Sequence, residues 1–366
     1  MKSSTSRRRL ITASAAATAL AHLPMRAAAQ QQRFAPEVGE WRTFELTTRV
    51  DLLKTEGAAR VWLPVPSVDT DFQMSQESSF SSTGRAVMVA DGREGARMLC
   101  AEFPADTAAR SVELVSRVRT RNRAVDWSRR VAVHEEPSTL AYWRRPTTMI
   151  PTDGIVLKTA LQATQGARTD VEKVRKVYDW IVANTYREPK VRGCGEGNIK
   201  VMLETGNLGG KCADLNALFV GLVRAVGIPA RDVYGIRLAP SRFGYRELGG
   251  NSASLQGAQH CRAEVFLKDY GWVAMDPADV AKVMRQETPQ WLKDVSNPVV
   301  APVHKALFGA WEGNWLGYNN AHDVKLPGSQ GETLPFLMYP IGEDANGRMD
   351  SYAPDDFRYR ITAREI

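Results

Sequence analysis

The first third of the chain alternates apolar and polar positions, which is the period of a half-buried β-strand. Residues 44–52 show the pattern most clearly, and it returns in residues 59–64 and 112–119, with a turn signal at residues 91–92 between them. We therefore predict an antiparallel β-sandwich domain over residues 40–127.

Four arginines recur at every second residue in the last of these segments and share one strand face: Arg117, Arg119, Arg121 and Arg123. One interpretation is an anion-binding stripe. The other, which we favour, is a solvated face or edge whose charges discourage aggregation. Aromatic residues that stack on bases are not interleaved with the arginines, so nucleic acid is not expected as a partner.

Helical periodicity begins after residues 128–168, a proline-interrupted segment that we interpret as a connection between domains. Thr169 and Glu172 form the sequence signature of a capping box, and the helix that they begin should end near Asn184. The apolar positions of this helix fall on one face: Val174, Val177, Tyr178, Ile181 and Val182.

A second amphipathic helix follows the segment Gly209-Gly210-Lys211-Cys212-Ala213-Asp214 and should stop at Gly227. Cys212 is therefore placed at the start of a helix, where unpaired N–H groups and the positive end of the helix dipole favour a thiolate. The same N–H groups are suited to stabilise an oxyanion. Asn207 is a second candidate donor, but local turn formation explains it better.

A nucleophilic thiol needs a base, and the base needs an orienting group. Beyond residue 29 the chain has four histidines, of which His260 opens a strand-like segment. If residues 269–271 form a hairpin loop with Gly271 in a left-handed conformation, Asp276 lies on the same sheet face as His260. The two residues stay some distance apart along the strands, so twist or a bulge has to close the gap.

Four motifs, in this order, now give the chain a family resemblance: Gly-Gly-Lys-Cys212-Ala-Asp, Arg224-Ala-Val-Gly-Ile-Pro-Ala-Arg231, His260-x-x-Ala-Glu264-Val and Gly271-Trp272-Val-x-x-Asp276-Pro277. Together they resemble the transglutaminase-like superfamily, and the strand-rich N-terminal part is similar to the β-domain that often precedes this core in bacterial members. The resemblance implies a papain-like core over residues 169–284. In that core Cys212 is the nucleophile, His260 the general base and acid, and Asp276 the residue that orients His260. One departure is His260-Cys261-Arg262 in place of the common His-x-Trp.

The predicted fold class is thus α+β, a papain-like transglutaminase-like core preceded by an antiparallel β-sandwich. Residues 285–366 are predicted to be a C-terminal extension packed on the core. The segment 308–320 of this extension is rich in Trp, Tyr and Phe. It is either a platform for sugar or peptide substrates beside the thiol or a packed part of the core, and we favour packing.

The remaining cysteines have competing interpretations. Cys194, in a glycine-rich loop, is a candidate for a disulfide with Cys261 in an oxidising compartment, or for a zinc site with Cys212 and His260. Zinc is disfavoured because no C-x-x-C or H-x-x-x-H spacing supports it, and we expect neither a metal nor a cofactor. Cys100 should be buried in the β-domain.

Two charged residues of the motifs are also open to interpretation. Arg231 is a hallmark of the family, and we expect it to form a structural ion pair rather than to contact substrate. Glu264 shares a strand face with His260, and it either supports the site or is solvated.

Composition and charge place these motifs in a full-sized folded protein. The 366 residues are 43% apolar, which excludes a disordered chain, and the four cysteines are too few for a disulfide-built scaffold. The net charge of +7 suggests an acidic partner. However, residues 1–29 hold five basic residues and no acidic one, so only +2 of the +7 belongs to the rest of the chain.

The layout of residues 1–29 is that of a signal peptide. Ser6-Arg7-Arg8-Arg9-Leu10-Ile11 resembles the twin-arginine export signal, and an apolar stretch leads to the cleavage pattern Ala27-Ala28-Ala29. The alternative is a basic disordered N-terminus. We therefore expect the twin-arginine export machinery as a partner, a periplasmic or otherwise exported location, and no membrane span in the mature chain.

These observations predict an exported thiol enzyme that acts on amide or peptide bonds through Cys212, His260 and Asp276 and forms an acyl-enzyme. Hydrolysis is favoured over cross-linking. The expected substrate is a peptide or protein, with cell-wall peptide as one candidate. The alternative is a non-catalytic protein- or glycan-binding module with the same fold.

Overall fold

The predicted strands and helices correspond to elements of the computed structural model, which describes residues 33–353 and 357–366. The predicted signal peptide over residues 1–29 lies outside the described residues. Within the described ranges, no helix combines the length and the apolar character needed to cross a bilayer. The predicted α+β class is confirmed, since antiparallel sheets and a central group of helices make up the fold.

The strands are β1 (Arg42–Leu52), β2 (Ala59–Pro64), β3 (Gln73–Ser82), β4 (Arg85–Ala90), β5 (Arg97–Phe103), β6 (Arg110–Thr120), β7 (Arg123–Ala124), β8 (Tyr186–Arg187), β9 (Gly209–Gly210), β10 (Ala230–Arg237), β11 (Gln259–Leu267), β12 (Gly271–Met275), β13 (Ala310–Trp311), β14 (Trp315–Asn319), β15 (Ile341–Asp344), β16 (Gly347–Arg348) and β17 (Phe357–Glu365). The helices are α1 (Pro137–Tyr142), α2 (Gly154–Ala163), α3 (Asp170–Asn184), α4 (Ile199–Thr205), α5 (Cys212–Ala225), α6 (Pro277–Lys282) and α7 (Ala301–Ala306). A π-helical turn, Val283–Glu287, continues α6.

The N-terminal strands form two antiparallel sheets, with the orders β17-β1-β6-β3 and β16-β15-β2-β5-β4. Strand β6 alternates buried and less buried positions along its length, as the sequence pattern predicts. Phe44 and Val112 of the first sheet share a hydrophobic core with Val61 and Leu99 of the second. The antiparallel strands predicted for residues 40–127 are therefore present, and the two sheets bury apolar faces together.

C-terminal segments complete the sheets that the N-terminal segments begin. Strand β17 pairs with β1, and β15 pairs with β2. Strand β14 pairs with β10 in a third sheet of order β12-β11-β10-β14. In the first two of these pairings, segments separated by hundreds of residues in sequence share backbone hydrogen bonds.

The third sheet and helix α5 form the centre of the protein. Every residue of β11 is buried, and α5 packs on β11 and β10. Helix α3 begins at the predicted capping box, since the Thr169 side chain accepts a hydrogen bond from the Glu172 N–H at 3.2 Å and the Glu172 carboxylate accepts one from the Thr169 N–H at 3.3 Å. The buried residues of α3 are the predicted five.

The four arginines of the predicted stripe all find partners within the chain. Arg117 is exposed and pairs with Glu45 and Glu77, while the guanidinium groups of Arg119 and Arg121 lie over the Trp41 ring. Arg123 is different, because it turns inward toward the third sheet.

Arg123 connects the N-terminal strands to the central sheet. Its guanidinium bonds to the Glu264 carboxylate on β11 and to the Trp272 carbonyl on β12. Arg231 on β10 donates to the other Glu264 oxygen at 2.6 Å. The Glu264 side chain is only 2% exposed, so its charge depends on these two arginines.

We predict that Arg123→Ala destabilises the protein by about 3 kcal/mol, the lower end of the range for breaking a buried ion pair, because Arg231 still compensates Glu264. Arg117→Ala is the matched control. Its ion pairs are solvent-exposed and contribute about 0–1 kcal/mol. Denaturant unfolding of the two variants measures both values, and equal losses would contradict the assignment.

Candidate active site

Cys212 is the first residue of helix α5, as predicted. Lys211 before it is extended, and its N–H donates to the Asp214 carboxylate at 2.9 Å, which closes the start of the helix. Cys212 is 3% exposed. The thiol is therefore held at the positive end of the helix dipole and shielded from bulk water.

The glycine-rich loop that carries Cys194 is fixed to the same helix start. The other Asp214 carboxylate oxygen accepts hydrogen bonds from the N–H groups of Glu196 and Gly197, both at 3.0 Å. Gly195 has φ +89°, and a Cβ at this position would collide with the Asp214 carboxylate. Glycine is therefore required both for the backbone conformation and for the space.

Three thiols meet at this point. Cys194 and Cys261 both lie close enough to Cys212 to lower the pKa of its thiol, and all three residues are buried. The four cysteines of the chain are free, so the disulfide considered between Cys194 and Cys261 is not formed. Cys100 is buried in β5, as predicted.

His260 lies on β11 beside Cys212, and its ring lowers the pKa of the thiol. Its Nε2 is 2.7 Å from Asp276 Oδ2, which leaves Nδ1 as the ring nitrogen for the sulfur. The structure thus brings the three predicted site residues together.

The predicted gap between His260 and Asp276 is closed without a bulge. Gly271 has φ +73°, as the hairpin requires. The register pairs Ala263 with Met275. Asp276 therefore lies diagonally across from His260 on the neighbouring strand. The chain leaves the sheet at Asp276, which becomes the N-cap of α6, and a diagonal side-chain contact spans the remaining distance.

Asn216 fixes Asp276 from the side of the nucleophile. It lies one helical turn after Cys212 on α5, so it projects from the same face. Its Nδ2 donates to Asp276 Oδ1 at 3.2 Å, and its Oδ1 accepts from the Ala278 N–H at 3.3 Å. Sequence analysis missed this residue, although the i+4 spacing from Cys212 is a usable signal.

A second carboxylate also faces His260. Asp279 Oδ2 is 3.3 Å from His260 Nε2, and Asp279 Oδ1 is 2.6 Å from the Arg237 guanidinium. Arg237 also donates to the Leu248 carbonyl at 2.8 Å. Sequence analysis missed both Asp279 and Arg237, because the contact depends on how β10 pairs with β11.

These contacts set the protonation states of His260 and Cys212. Burial alone would lower the pKa of His260, but the charges of Asp279 and Asp276 outweigh burial and raise this pKa to about 9. Burial alone would raise the pKa of Cys212, but the neighbouring Cys194 and Cys261 thiols and His260, with its imidazolium charge, hold this pKa well below its ordinary value. The site therefore favours a thiolate–imidazolium pair at neutral pH.

The two carboxylates differ in their protonation behaviour. The pKa of Asp279 lies well below its ordinary value, because the charges of Arg237 and His260 overcome burial. The pKa of Asp276 is raised by burial and by the adjacent Asp279 charge. Asp279 is therefore the more firmly ionised of the two carboxylates.

The structure also brings three possible metal ligands together: His260, Asp276 and Asp279. Their donor atoms lie within 4.8 Å of one another, which is close enough to hold a metal ion. Arg237 at 2.6 Å and Arg262 at 3.7 Å already face these carboxylates. Two cations at this distance make the group an ion-pair network rather than a good metal centre. The zinc set considered from the sequence, Cys194 with Cys212 and His260, is not such a cluster in the described part of the chain.

The aromatic segment 308–320 is packed inside the protein, as we favoured. Trp315 Nε1 donates to the His260 carbonyl at 2.8 Å, and Trp311 Nε1 donates to the Met275 carbonyl at 3.2 Å. A Cβ at Gly235 would collide with the Trp315 ring, so this glycine makes the approach possible. The two tryptophans hold the backbone that carries His260 and precedes Asp276.

The contacts also decide between the interpretations of three other residues: Asn207, Arg231 and Glu264. Asn207 Oδ1 accepts from the Gly209 N–H at 3.3 Å, so Asn207 shapes a local turn. Arg231 forms the predicted structural ion pair, with Glu264. Glu264 is buried rather than solvated, and its carboxylate is fully engaged by that arginine and Arg123.

Comparisons with known proteins bear on the family and the fold. A family model for the transglutaminase-like superfamily matches residues 158–277. A Haemophilus influenzae protein described as "Uncharacterized protein" is 32% identical over 343 residues, covering 88% of this chain and 91% of that protein. The crystal structure of a "Putative Cysteine Protease" from Cytophaga hutchinsonii superposes with a TM-score of 0.54 at 13% identity, covering 90% of this chain and 92% of that chain. The last likeness concerns the fold alone.

The thiolate–imidazolium pair of Cys212 and His260 predicts an unusual pH dependence of thiol reactivity. Alkylation of Cys212 by iodoacetamide should stay fast well below the ordinary thiol pKa of ~8.5, because the thiolate persists there. Peptide mapping by mass spectrometry measures the rate at each pH. Cys100 is the internal control, since burial raises its pKa to about 11 and its alkylation should stay slow. A Cys212 rate that rises only near pH 8.5 would rule out the pair.

Proposed function

The chain belongs to the transglutaminase-like superfamily, and on that premise we propose that it is an exported thiol hydrolase that cleaves amide or peptide bonds through an acyl-enzyme. The observation that carries the proposal is the arrangement at His260, with Cys212 on one side of its ring and Asp276 2.7 Å from its Nε2. A thiolate, a protonated imidazole and an orienting carboxylate are the groups that this chemistry needs.

In the first step the Cys212 thiolate attacks the carbonyl carbon, and a carbon–sulfur bond forms while the carbonyl oxygen becomes an oxyanion. The Ala213 N–H donates to the Cys194 carbonyl, so the N–H of Cys212 itself is the donor that we propose for that charge. The His260 imidazolium gives its proton to the leaving amine as the carbon–nitrogen bond breaks. A thioester on Cys212 and a neutral imidazole remain.

In the second step His260 takes a proton from water, and the resulting hydroxide attacks the thioester carbon. The carbon–sulfur bond breaks, the carboxylic acid leaves, and the proton on His260 restores the ion pair with the thiolate. Water and an amine compete for this step. We favour water, so hydrolysis rather than cross-linking is the proposed outcome.

We assign separate roles to the two carboxylates near His260. Asp276 orients the ring through the short contact and is itself held by Asn216. Asp279, ionised against Arg237, supplies the charge that keeps the imidazole protonated between turnovers. Both are positioning residues, because they act on substrate through His260.

We place the enzyme outside the inner membrane, on the strength of the twin-arginine pattern in residues 1–29. Peptide or protein amides, including those of cell-wall peptides, are the proposed substrates. A cleft of about 340 Å³ lies against the start of α5 and is lined by Gly195, Glu196 and Asp214. It is the candidate approach for an extended peptide toward the buried thiol.

The first prediction of the proposal concerns the nucleophile. Cys212→Ala should keep the circular dichroism spectrum of the parent and lose at least about a thousandfold in peptide hydrolysis, since the acyl-enzyme no longer forms. It should also lose labelling by a thiol-directed epoxide inhibitor. Cys100→Ala, in β5, is the matched control and should be labelled normally. Equal labelling of Cys212→Ala and the parent protein would sink the assignment.

The second prediction separates the two carboxylates. Asp276→Asn should lower kcat by about a hundredfold or more through misorientation of the base. Activity falls as the pH rises through the His260 pKa near 9, because the leaving amine then lacks its proton donor. Asp279→Asn removes a charge that raises this pKa, so the basic limb of the profile should move to lower pH.

The pH profile of kcat measures this shift, and Asp294→Asn, an exposed carboxylate outside the network, serves as the control. If Asp279→Asn lowered kcat without moving the basic limb, Asp279 would have only a structural role.

A further inference from the structure

Cys212 shares its buried environment with two thiols that the proposed hydrolysis does not consume. The Cys194 and Cys261 thiols both lie close enough to the Cys212 sulfur to lower its pKa. The three residues are 5%, 0% and 3% exposed for Cys194, Cys261 and Cys212 respectively. A nucleophilic thiolate with a second thiol in contact is the arrangement in which an oxidised sulfur is captured as a disulfide.

Cys194 is better placed than Cys261 to form such a bond. The Cys194 carbonyl accepts a hydrogen bond from the Ala213 N–H at 2.9 Å, which ties its backbone to the peptide unit that follows Cys212. A disulfide bridges Cα atoms about 4.4–6.8 Å apart, a separation compatible with segments joined in this way.

The backbone around the two thiols differs in freedom. Cys194 lies between Gly193 and Gly195, both in left-handed conformations, on a loop. Cys261 lies in the middle of β11, where it pairs with Tyr234 on β10 and its carbonyl accepts a hydrogen bond from Asn216 at 2.8 Å. A loop can adjust to the geometry of a disulfide at lower cost than a central buried strand.

The sulfur of Cys194 has two hydrogen-bond partners outside the thiol cluster. The Tyr339 hydroxyl donates to it at 3.0 Å, and the thiol itself donates to the Gln259 carbonyl at 3.3 Å. The neighbouring Cys212 thiolate and burial raise the pKa of Cys194 well above its ordinary value, and oxidation of Cys212 to the sulfenic acid removes the first of these causes. The Tyr339 hydroxyl then stabilises the negative charge that develops on the attacking sulfur. Neither contact has a role in the proposed hydrolysis.

We propose that Cys194 is a resolving thiol for Cys212, so that peroxide converts the active site to a reversible Cys194–Cys212 disulfide. The proposal rests on the proposed function in one respect, since Cys212 has to be a reactive thiolate. It adds a modification site and a redox control that the hydrolytic mechanism does not contain.

The steps balance with hydrogen peroxide as the oxidant. The Cys212 thiolate attacks one peroxide oxygen, a sulfur–oxygen bond forms, the oxygen–oxygen bond breaks, and the hydroxide that leaves is protonated to water. The Cys194 sulfur then attacks the sulfenic sulfur, a sulfur–sulfur bond forms, and the hydroxyl leaves with the Cys194 proton as a second water. Two thiols lose two electrons in all, and a dithiol reductant returns them.

The disulfide would switch the enzyme off and also protect it. A Cys212 sulfur that is bonded to Cys194 has no lone thiolate for attack on an amide. Without a resolving thiol, further peroxide takes the sulfenic acid to sulfinic and sulfonic acids, which a dithiol does not reverse.

The test treats the reduced, folded full-length protein with hydrogen peroxide and then with dithiothreitol. Peptide mapping after peroxide should give a Cys194–Cys212 linked peptide, lighter than the two thiols by two hydrogens. Dithiothreitol should restore Cys212 alkylation. Cys194→Ser should lose the linked peptide and recover at least tenfold less alkylation than the parent, each protein being normalised to its own reduced state.

Cys261→Ser is the matched control: normalised to its own reduced state, it should still give the Cys194–Cys212 linked peptide and recover its alkylation with dithiothreitol. A linked peptide between Cys212 and Cys261, or irreversible oxidation of the parent, would overturn the proposal. The mapping of the parent needs no variant, so a folding defect in Cys194→Ser does not affect the answer. If Cys212 fails to alkylate in the reduced parent, the proposed function fails; if it alkylates but no disulfide forms, only the redox proposal fails.

Discussion

The active site depends on ionised groups that are buried together. His260, Asp276 and Asp279 are each no more than 3% exposed, and an isolated charge at such depth is very costly. Each charge therefore has a partner of the opposite sign, the imidazolium facing the Cys212 thiolate and both carboxylates, and Asp279 also facing Arg237. Removing one charged side chain leaves the charge of its partner uncompensated. This costs more free energy than removing both charges together.

The requirement that each buried charge has a partner of opposite sign explains why several separate segments build the site. Helix α5 supplies Cys212 and Asn216, three neighbouring strands supply Arg237, His260 and the approach to Asp276, and helix α6 supplies Asp279. Trp315 on β14 then fixes the backbone of His260. No single segment places two opposite charges in contact, so the electrostatic pairing and the tertiary fold form together.

Sequence reasoning succeeded where the physical cause is local. Thr169 caps its helix through contacts three residues away, and Cys212 begins α5 after a glycine pair, so both positions can be recognised in a short window. It also placed Asp276 on the same sheet face as His260, because a short hairpin limits the register, but it left a gap between them along the strands. It missed Asp279 and Arg237, whose contact depends on long-range strand pairing and on the point at which the chain leaves β12.

The pairing of β17 with β1 has a consequence for the order of folding. During synthesis β1 emerges first, and its partner on one side arrives more than 300 residues later. That edge of the sheet offers unpaired N–H and C=O groups until β17 has emerged, which is a hazard for strand-to-strand association. Trp315, which holds His260, also lies late in the chain. Emergence of β17 is thus the event that closes this edge of the sheet. A chain ended before Trp315 would lack both the pairing with β17 and the hydrogen bond to the His260 carbonyl.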